Sequence, residues 1–490
     1  MTSAGQPVSF SRLKRRALSI GAVKAFDHAM QFLMPLVLVR CLDTATFGEY
    51  RLLWLAVATL LTFATLNMCG TLYYFVPRSA PAKKRLYVHQ TVLFLAASGL
   101  VCGILVSPAN PWLPLPMRHL GEHGLLVPAF VALWILTTLL DRLPTVDERI
   151  AWQACVSVGV TALRVLLLAA GAWFTGDFQV MLWLLLAVAL VKLALLADYV
   201  RRRHGFGRPW FEWSAFSEQF RHSAPLGLNS AFYGLRGNAD QWVAASLFSL
   251  TSFAAFSVAA VVGQLVHILR LSVMEACLPS MSRLQAAADV RGMLDMNSRG
   301  NVLVGKLLYP ALAFVFAFAP ELVTLVYTAS YADAAPVMRV YAFGMVASAV
   351  EMGSLVMLLR QGPYALGVTA CTLAVSVAVS WVAAHFFGLT GAAAGSVLAL
   401  YLDRVLILRR VAGQTGIAFG KLQDWRTLAL QLALAAFSGA IAWAAAGAFV
   451  GGAPLARLAV GAGVLALVYA PVHLPRVLQL ATKRMQRENL

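Results

Sequence analysis

Apolar stretches of about 20 residues recur along the whole chain, and this recurrence limits the possible folds more than any motif does. Crossing about 30 Å of hydrocarbon takes about 20 apolar residues in a helix, and only helices and closed barrels satisfy their own backbone hydrogen bonds in lipid. By that measure about fourteen spans are expected, over residues 17–39, 51–76, 87–107, 124–141, 152–174, 178–199, 224–249, 253–278, 302–328, 336–359, 364–387, 391–408, 427–450 and 455–475. Charged residues make up 12% of the chain, against roughly 25% in soluble domains. The expected fold is an all-α polytopic membrane protein.

A net charge of +18 would suggest nucleic acid in a soluble chain, but here Lys and Arg gather in short clusters between the spans. Arg12–Arg16, Lys83–Arg85, Arg201–Arg203, Arg283–Arg299, Arg404–Arg410 and Lys483–Arg487 fall on one side, whereas the other side holds only Arg40, Arg51, Arg118, Arg339 and Arg457. The positive-inside rule then places both termini in the cytoplasm, as an even number of spans requires. A multi-pass protein of the inner membrane is expected, with no nucleic-acid partner. The N-terminal apolar stretch is too long and too polar for a cleaved leader. The longest external loop, 108–122, is too short for a catalytic domain. The cysteines Cys41, Cys69, Cys102, Cys155, Cys277 and Cys371 are widely spaced, show no metal spacing and are expected to be packing residues.

The longest internal connection, 201–223, alternates Trp210, Phe211, Trp213, Phe216 and Phe220 with charged residues, the pattern of an amphipathic helix in the headgroup region. It separates an N-lobe, 1–200, from a C-lobe, 224–410, with 411–490 as a C-terminal pair of spans and a basic tail. A short repeat supports two lobes: Thr46-Phe-Gly-Glu-Tyr-Arg-Leu-Leu is echoed by Ser252-Phe-Ala-Ala-Phe-Ser-Val-Ala after 206 residues.

Each lobe opens with a span that carries a polar face. Lys24, Asp27, His28 and Gln31 stand at i, i+3, i+4 and i+7, and Asn229, Tyr233, Arg236 and Asp240 at i, i+4, i+7 and i+11. A charge at bilayer depth costs roughly 2.5–3.5 kcal/mol on insertion scales, so such residues face protein or a water-filled cavity. Two readings stand side by side: the stripes line a common cavity, or they form ion pairs that lock the bundle. The next span adds Gln264, His267, Arg270 and Glu275. His267 beside Arg270 suits an anion, because a guanidinium grips phosphate oxygens with two parallel hydrogen bonds, while Glu275 can neutralise Arg270. Arg164 and Glu351 lie inside spans without a local partner, and each either lines a cavity or pairs with another helix. Lys192, Asp198, Lys306 and Asp403 sit near helix ends, where long side chains reach the interface. Asp141, Asp147 and Glu148 read as solvated loop charges, and Gly391-Ala-Ala-Ala-Gly395 as close helix packing.

The expected anion-binding set is therefore Lys24, His28, Arg164, Arg236, His267 and Arg270, with Asp27, Asp240 and Glu351 tuning charge or coupling ions. No phosphate-binding loop, zinc signature or nucleophile triad occurs, so neither an ATP-driven pump nor an enzyme is expected. No cofactor is expected beyond a coupling proton or sodium ion.

The segment Val39-Arg-Cys-Leu-Asp-Thr-Ala-Thr-Phe-Gly-Glu-Tyr-Arg-Leu-Leu-Trp54 resembles the opening of the polysaccharide transporter family, which contains the Wzx-type O-antigen flippases. Leu250–Ala259 and Tyr331–Val340 resemble the corresponding loops of that family's second lobe. The resemblance spans essentially the whole chain, through loose motifs. It places the chain in the superfamily of multidrug exporters of the MATE type and the lipid II flippase. It implies two six-helix lobes in a pseudo-two-fold arrangement around a central cavity, with two additional C-terminal helices. It also implies movement of an undecaprenyl-diphosphate-linked oligosaccharide between leaflets for O-antigen, capsule or exopolysaccharide synthesis. Membrane lipids are expected partners, with the polysaccharide polymerase and chain-length machinery as further candidates. A cation-coupled multidrug exporter is the main alternative. A membrane glycosyl polymerase ranks lower, since such enzymes usually need a sizeable external loop.

Overall fold

In a computed structural model of the chain the described residues are 29–30, 33–449 and 452–471. Among them every regular element is an α-helix or a short 3-10 turn. Eight helices are long and apolar enough to cross a membrane, and three shorter helical stretches are also apolar.

The first long helix, α1 (Thr44–Thr65), starts where Asp43 accepts the N–H groups of Ala45 and Thr46 at 3.0 and 3.2 Å. Burial works against the Asp43 carboxylate, yet the hydrogen bonds from Thr46 and Ala45 outweigh it and hold its pKa below the usual value. The equivalent start in the second half is α8 (Leu250–Ala259), where Ser249 accepts the N–H of Ser252 at 3.3 Å. Asp43 and Ser249 stand at the 206-residue offset of the sequence repeat, and the repeat's aromatic positions match in burial: Phe47 and Phe253, then Tyr50 and Phe256.

Several expected spans differ in detail. The span expected over 51–76 is two helices, α1 and α2 (Met68–Arg78), because Leu66 and Asn67 take positive φ angles of 38° and 59°. After α3 (Pro81–Leu105), α4 (Leu126–Thr137) ends in a 3-10 turn over Thr138–Asp141. Next come α5 (Ile150–Phe174), α6 (Phe178–Arg203) and α7 (Trp213–Leu247). Beyond α8 lie α9 (Val261–Ala286) and α10 (Val290–Ala317). The stretch expected over 302–328 breaks at Phe318 into α10 and α11 (Ala319–Tyr327). The last helices are α12 (Ala334–Met345), α13 (Gly362–Thr415), α14 (Trp425–Phe449) and α15 (Pro454–Tyr469). The two spans expected over 364–408 form α13, which turns back on itself at Gly388, where φ 59° and ψ −139° suit glycine alone. Across that turn Ser380 Oγ donates to the carbonyl of Ala392 at 2.7 Å, and a Cβ on Gly391 or Gly395 would strike the facing backbone. The small-residue pattern thus packs helix on helix.

Residues 201–223 combine the end of α6, a connection without helix and the start of α7. The connection is tied to α3: His89 Nε2 donates to the Gly205 carbonyl at 2.8 Å, Gln90 Nε2 to that of Glu212 at 2.7 Å, and the His89 ring stacks on Trp210 at 4.3 Å. Trp210 thus lies against α3, and Phe94 of α3 is near both Phe216 and Phe220, whereas Phe211 and Trp213 stay exposed.

The chain divides into two compact units, Met1–Leu235 and Arg236–Leu490, and the division falls within α7. In the first unit α4 packs on α3 and α6 around Val127, Phe130, Val131 and Trp134. In the second, α10 packs on α9 and α14, and α14 on α15, where Phe318, Ala442, Ala446 and Leu458 form one cluster. Glu321 and Arg457 pair at 2.9 Å beside that cluster. Between membrane helices such clusters hold by close packing, since lipid tails are as apolar as the side chains they replace.

Candidate functional site

Lys24, Asp27, His28 and Gln31 lie outside the described residues. Most of the other expected site residues fall into three clusters, one in the first unit and two in the second.

In the second unit, Arg236 of α7 and Arg404 of α13 share the carboxylate of Asp403: Arg236 Nη1 lies 3.6 Å from Oδ1 and Arg404 Nη1 2.9 Å from Oδ2. Their side chains are 13%, 13% and 11% exposed, respectively. Two guanidiniums brought to one carboxylate make this a cation-rich, poorly solvated place, where an anion is favoured. Asp403, read from sequence as an interfacial residue, is thus the partner of Arg236. One turn along α7, Asp240 is 2% exposed and accepts from Tyr341 Oη of α12 at 2.6 Å and from the Gln241 N–H at 2.8 Å. Among the described residues no basic side chain pairs with Asp240. Asn229 and Tyr233, on the same stripe, are exposed.

Arg270 of α9 lies with Nη2 3.1 Å from His267 Nδ1, an intrahelical contact on a partly exposed face. Glu275, five residues further, is exposed and outside the i+3/i+4 reach that a helix pair needs. The Glu351 carboxylate accepts the N–H groups of Gly353 and Ser354 at 2.6 and 3.3 Å, and the backbone N–H of Glu351 donates to Asn301 Oδ1 of α10 at 3.0 Å. Glu351 precedes Met352, the N-cap of the short helix Gly353–Leu358, and satisfies the first N–H groups of that helix.

The first unit holds an aromatic box around two cations. The Arg164 guanidinium lies 5.6 Å from the Trp54 ring centre and 6.0 Å from that of Trp134, while Lys192 Nζ lies 4.7 Å from Trp134 and 3.0 Å from Asp141 Oδ2. Trp54 and Trp134 meet edge to face at 5.3 Å. Cation–π contacts are worth about 0.5–2 kcal/mol, more when desolvated. Lys192 is buried, so the interfacial role expected of it does not apply. Asp198 pairs with Arg202 and Arg201 at 2.7 and 3.4 Å on an exposed helix end. Among the described residues no group of three or more His, Cys, Asp or Glu is placed to hold a metal ion.

Comparison with known proteins adds to this geometry. A family model described as "Polysaccharide biosynthesis protein" matches residues 149–336. The lipid II flippase MurJ in an inward closed conformation superposes with a TM-score of 0.66 at 10% identity, over 92% of this chain and 99% of its own. The chain shares the fold of that flippase. A MATE family multidrug resistance transporter of the MOP superfamily, inward-facing, gives a TM-score of 0.58 at 14% identity, over 79% of this chain and 96% of its own. The MATE multidrug transporter DinF-BH gives 0.55 at 13% identity, over 85% and 99%. No curated protein matches the chain by sequence. The resemblance drawn from Thr46-Phe-Gly-Glu-Tyr50 agrees with the family model and with this fold, and the solved structures that share the fold are a flippase and transporters rather than enzymes.

Tyr341 and the pair Trp54 and Trp134 carry no site role in the sequence reading, and Asp403 and Arg404 read there only as an interfacial charge and part of a basic cluster. The one local signal was the Asp403-Arg404 dipeptide inside an apolar stretch.

Proposed function

We propose that the chain is a flippase that moves an undecaprenyl-diphosphate-linked oligosaccharide from the cytoplasmic to the periplasmic leaflet of a bacterial inner membrane by alternating access, for surface polysaccharide synthesis. The observation that carries this reading is the gathering of Arg236 and Arg404 at Asp403, a cation-rich and poorly solvated cluster that suits a diphosphate and disfavours a cationic drug. The match to a polysaccharide biosynthesis family and the fold shared with the lipid II flippase support it. Lys24, His28, His267 and Arg270 extend the proposed anion-binding set, and Arg164 serves within its aromatic box. Membrane lipids, the polymerase and chain-length machinery complete the proposed partners.

One observation favours a second reading. Asp240 is a buried carboxylate held by a tyrosine hydroxyl, an arrangement able to carry a proton or sodium ion, as a cation-coupled multidrug exporter requires. Deletion of the gene tests the two. The flippase predicts accumulation of lipid-linked repeat units on the cytoplasmic leaflet, reversed by wild type and not by Arg236→Ala present at equal level. Drug hypersensitivity without that accumulation would favour the exporter.

A further inference from the structure

Leu66 and Asn67, which break the second expected span, both take left-handed backbone, a conformation that non-glycine residues adopt only at a cost the surrounding structure must offset. Non-helical backbone at membrane depth is tolerated where it is buried in protein or lines a water-filled cavity. Asn67 lies about 17 Å along the helix axis from Arg78, roughly half the hydrocarbon thickness.

From the break onwards Asn67, Gly70, Thr71, Tyr74 and Arg78 stand at i, i+3, i+4, i+7 and i+11, one face of α2. That face meets the start of α7, and the two helices enclose a partly open pocket of about 240 Å³ lined by Asn67, Thr71, Tyr73, Tyr74, Arg78 and His222. Its walls are fixed in register. Gly227 lies so close to the Leu66 backbone that a side chain there would clash. Gln219 Nε2 donates to Thr71 Oγ1 at 3.1 Å, and Ser223 Oγ to Met68 Sδ at 3.1 Å.

The chemistry of the lining is cationic and aromatic. The Arg78 guanidinium lies 4.0 Å over the Tyr74 ring, and the His222 ring stacks on Tyr74 at 5.0 Å and 24°. Among the described residues neither Arg78 nor His222 has a carboxylate partner. An arginine parked on an aromatic face keeps its planar fork of N–H donors for phosphate oxygens. Imidazole, phenol and amide groups alongside suit a hydroxyl-bearing head group. The basic cluster Lys83–Arg85 follows α2 directly, so this pocket opens at the end of the unit that the charge distribution assigns to the cytoplasm.

We propose that this pocket binds the phosphate of a lipid head group as it enters the protein. For a glycan-bearing polyprenyl diphosphate the inference rests on the flippase reading; an anionic phospholipid offers the same phosphate chemistry. The test titrates the purified full-length protein in neutral detergent with undecaprenyl diphosphate and, separately, with phosphatidylglycerol. Arg78→Ala is expected to weaken binding about tenfold, the size of one charge-assisted hydrogen bond, His222→Ala several-fold, and Arg78→Lys less than Arg78→Ala. Weakening confined to the diphosphate assigns the pocket to the transported lipid. Equal weakening for both assigns it to lipid phosphate in general. Unchanged affinity in Arg78→Ala and His222→Ala, or no binding of either lipid by wild type, overturns the proposal. Transbilayer movement by wild type together with unchanged binding by the variants sinks the pocket alone; absence of movement with intact phosphatidylglycerol binding sinks the flippase reading alone.

Discussion

At the scale of single residues, the charged groups divide into those that hold the fold and those that gather where a ligand could meet them. Asp403 carries the carboxylate that two buried guanidiniums share, so Asp403→Ala removes that counter-charge from both at once. Removing one partner of a buried pair typically costs about 3–5 kcal/mol. Thermal unfolding in detergent is expected to show a large drop for Asp403→Ala and a smaller one for Arg404→Ala, which leaves Arg236 paired. Asp424 offers a contrast at an exposed position: it caps α14 by accepting the Thr427 N–H at 3.0 Å, and the Thr427 hydrogen bonds hold its carboxyl below the usual 3.8. With the folded value depressed, the cap stabilises the protein above the unfolded pKa and fades as pH falls through the folded value. Asp424→Ala is expected to cost roughly 1 kcal/mol near neutral pH and to flatten the pH dependence of unfolding below about pH 4. Much of this was hidden in the sequence. The i, i+4 relation of Arg236 and Asp240 was legible because helix periodicity is local, whereas Asp403 and Tyr341 come from distant helices and leave no periodic trace. Glu351 was legible as a buried charge, but not its setting: the chain leaves helix there and the carboxylate accepts the first N–H groups of the next helix.

At the scale of elements, apolar length located the eight helices that are long and apolar enough to cross a membrane among the described residues, while the interruptions within the expected spans depend on backbone angles that composition does not reveal. Leu66 and Asn67 break a stretch with no proline or glycine at the break, and Phe318 does the same before Pro320. Gly388 is the clearer case, since its φ of 59° with ψ of −139° lies where a Cβ is strained. Gly388→Ala is expected to destabilise by about 1–3 kcal/mol, while Gly391→Leu, which meets the facing backbone across the same turn, should abolish the packing of the two arms of α13. Protease accessibility around residue 388 and the yield of folded protein in mild detergent check both expectations, and unchanged behaviour of Gly391→Leu would refute the close packing.

At the scale of the whole molecule, the chain divides into two compact units within α7, and the repeat at 206 residues places helix caps and buried aromatic residues at equivalent points in each half. The all-α membrane class and the fold shared with the lipid II flippase and the MATE transporters were legible from hydropathy and the Phe-Gly-Glu-Tyr segment, because fold follows the chain's overall pattern. A shared fold hosts different cargoes, and a few side chains decide among them. The most direct measurement is transbilayer movement of an undecaprenyl-diphosphate-linked oligosaccharide by purified protein in liposomes, comparing wild type with Arg236→Ala. Movement by wild type, reduced at least tenfold in a folded Arg236→Ala protein, is the predicted result; equal movement by both, or none by wild type with any such donor, would contradict it.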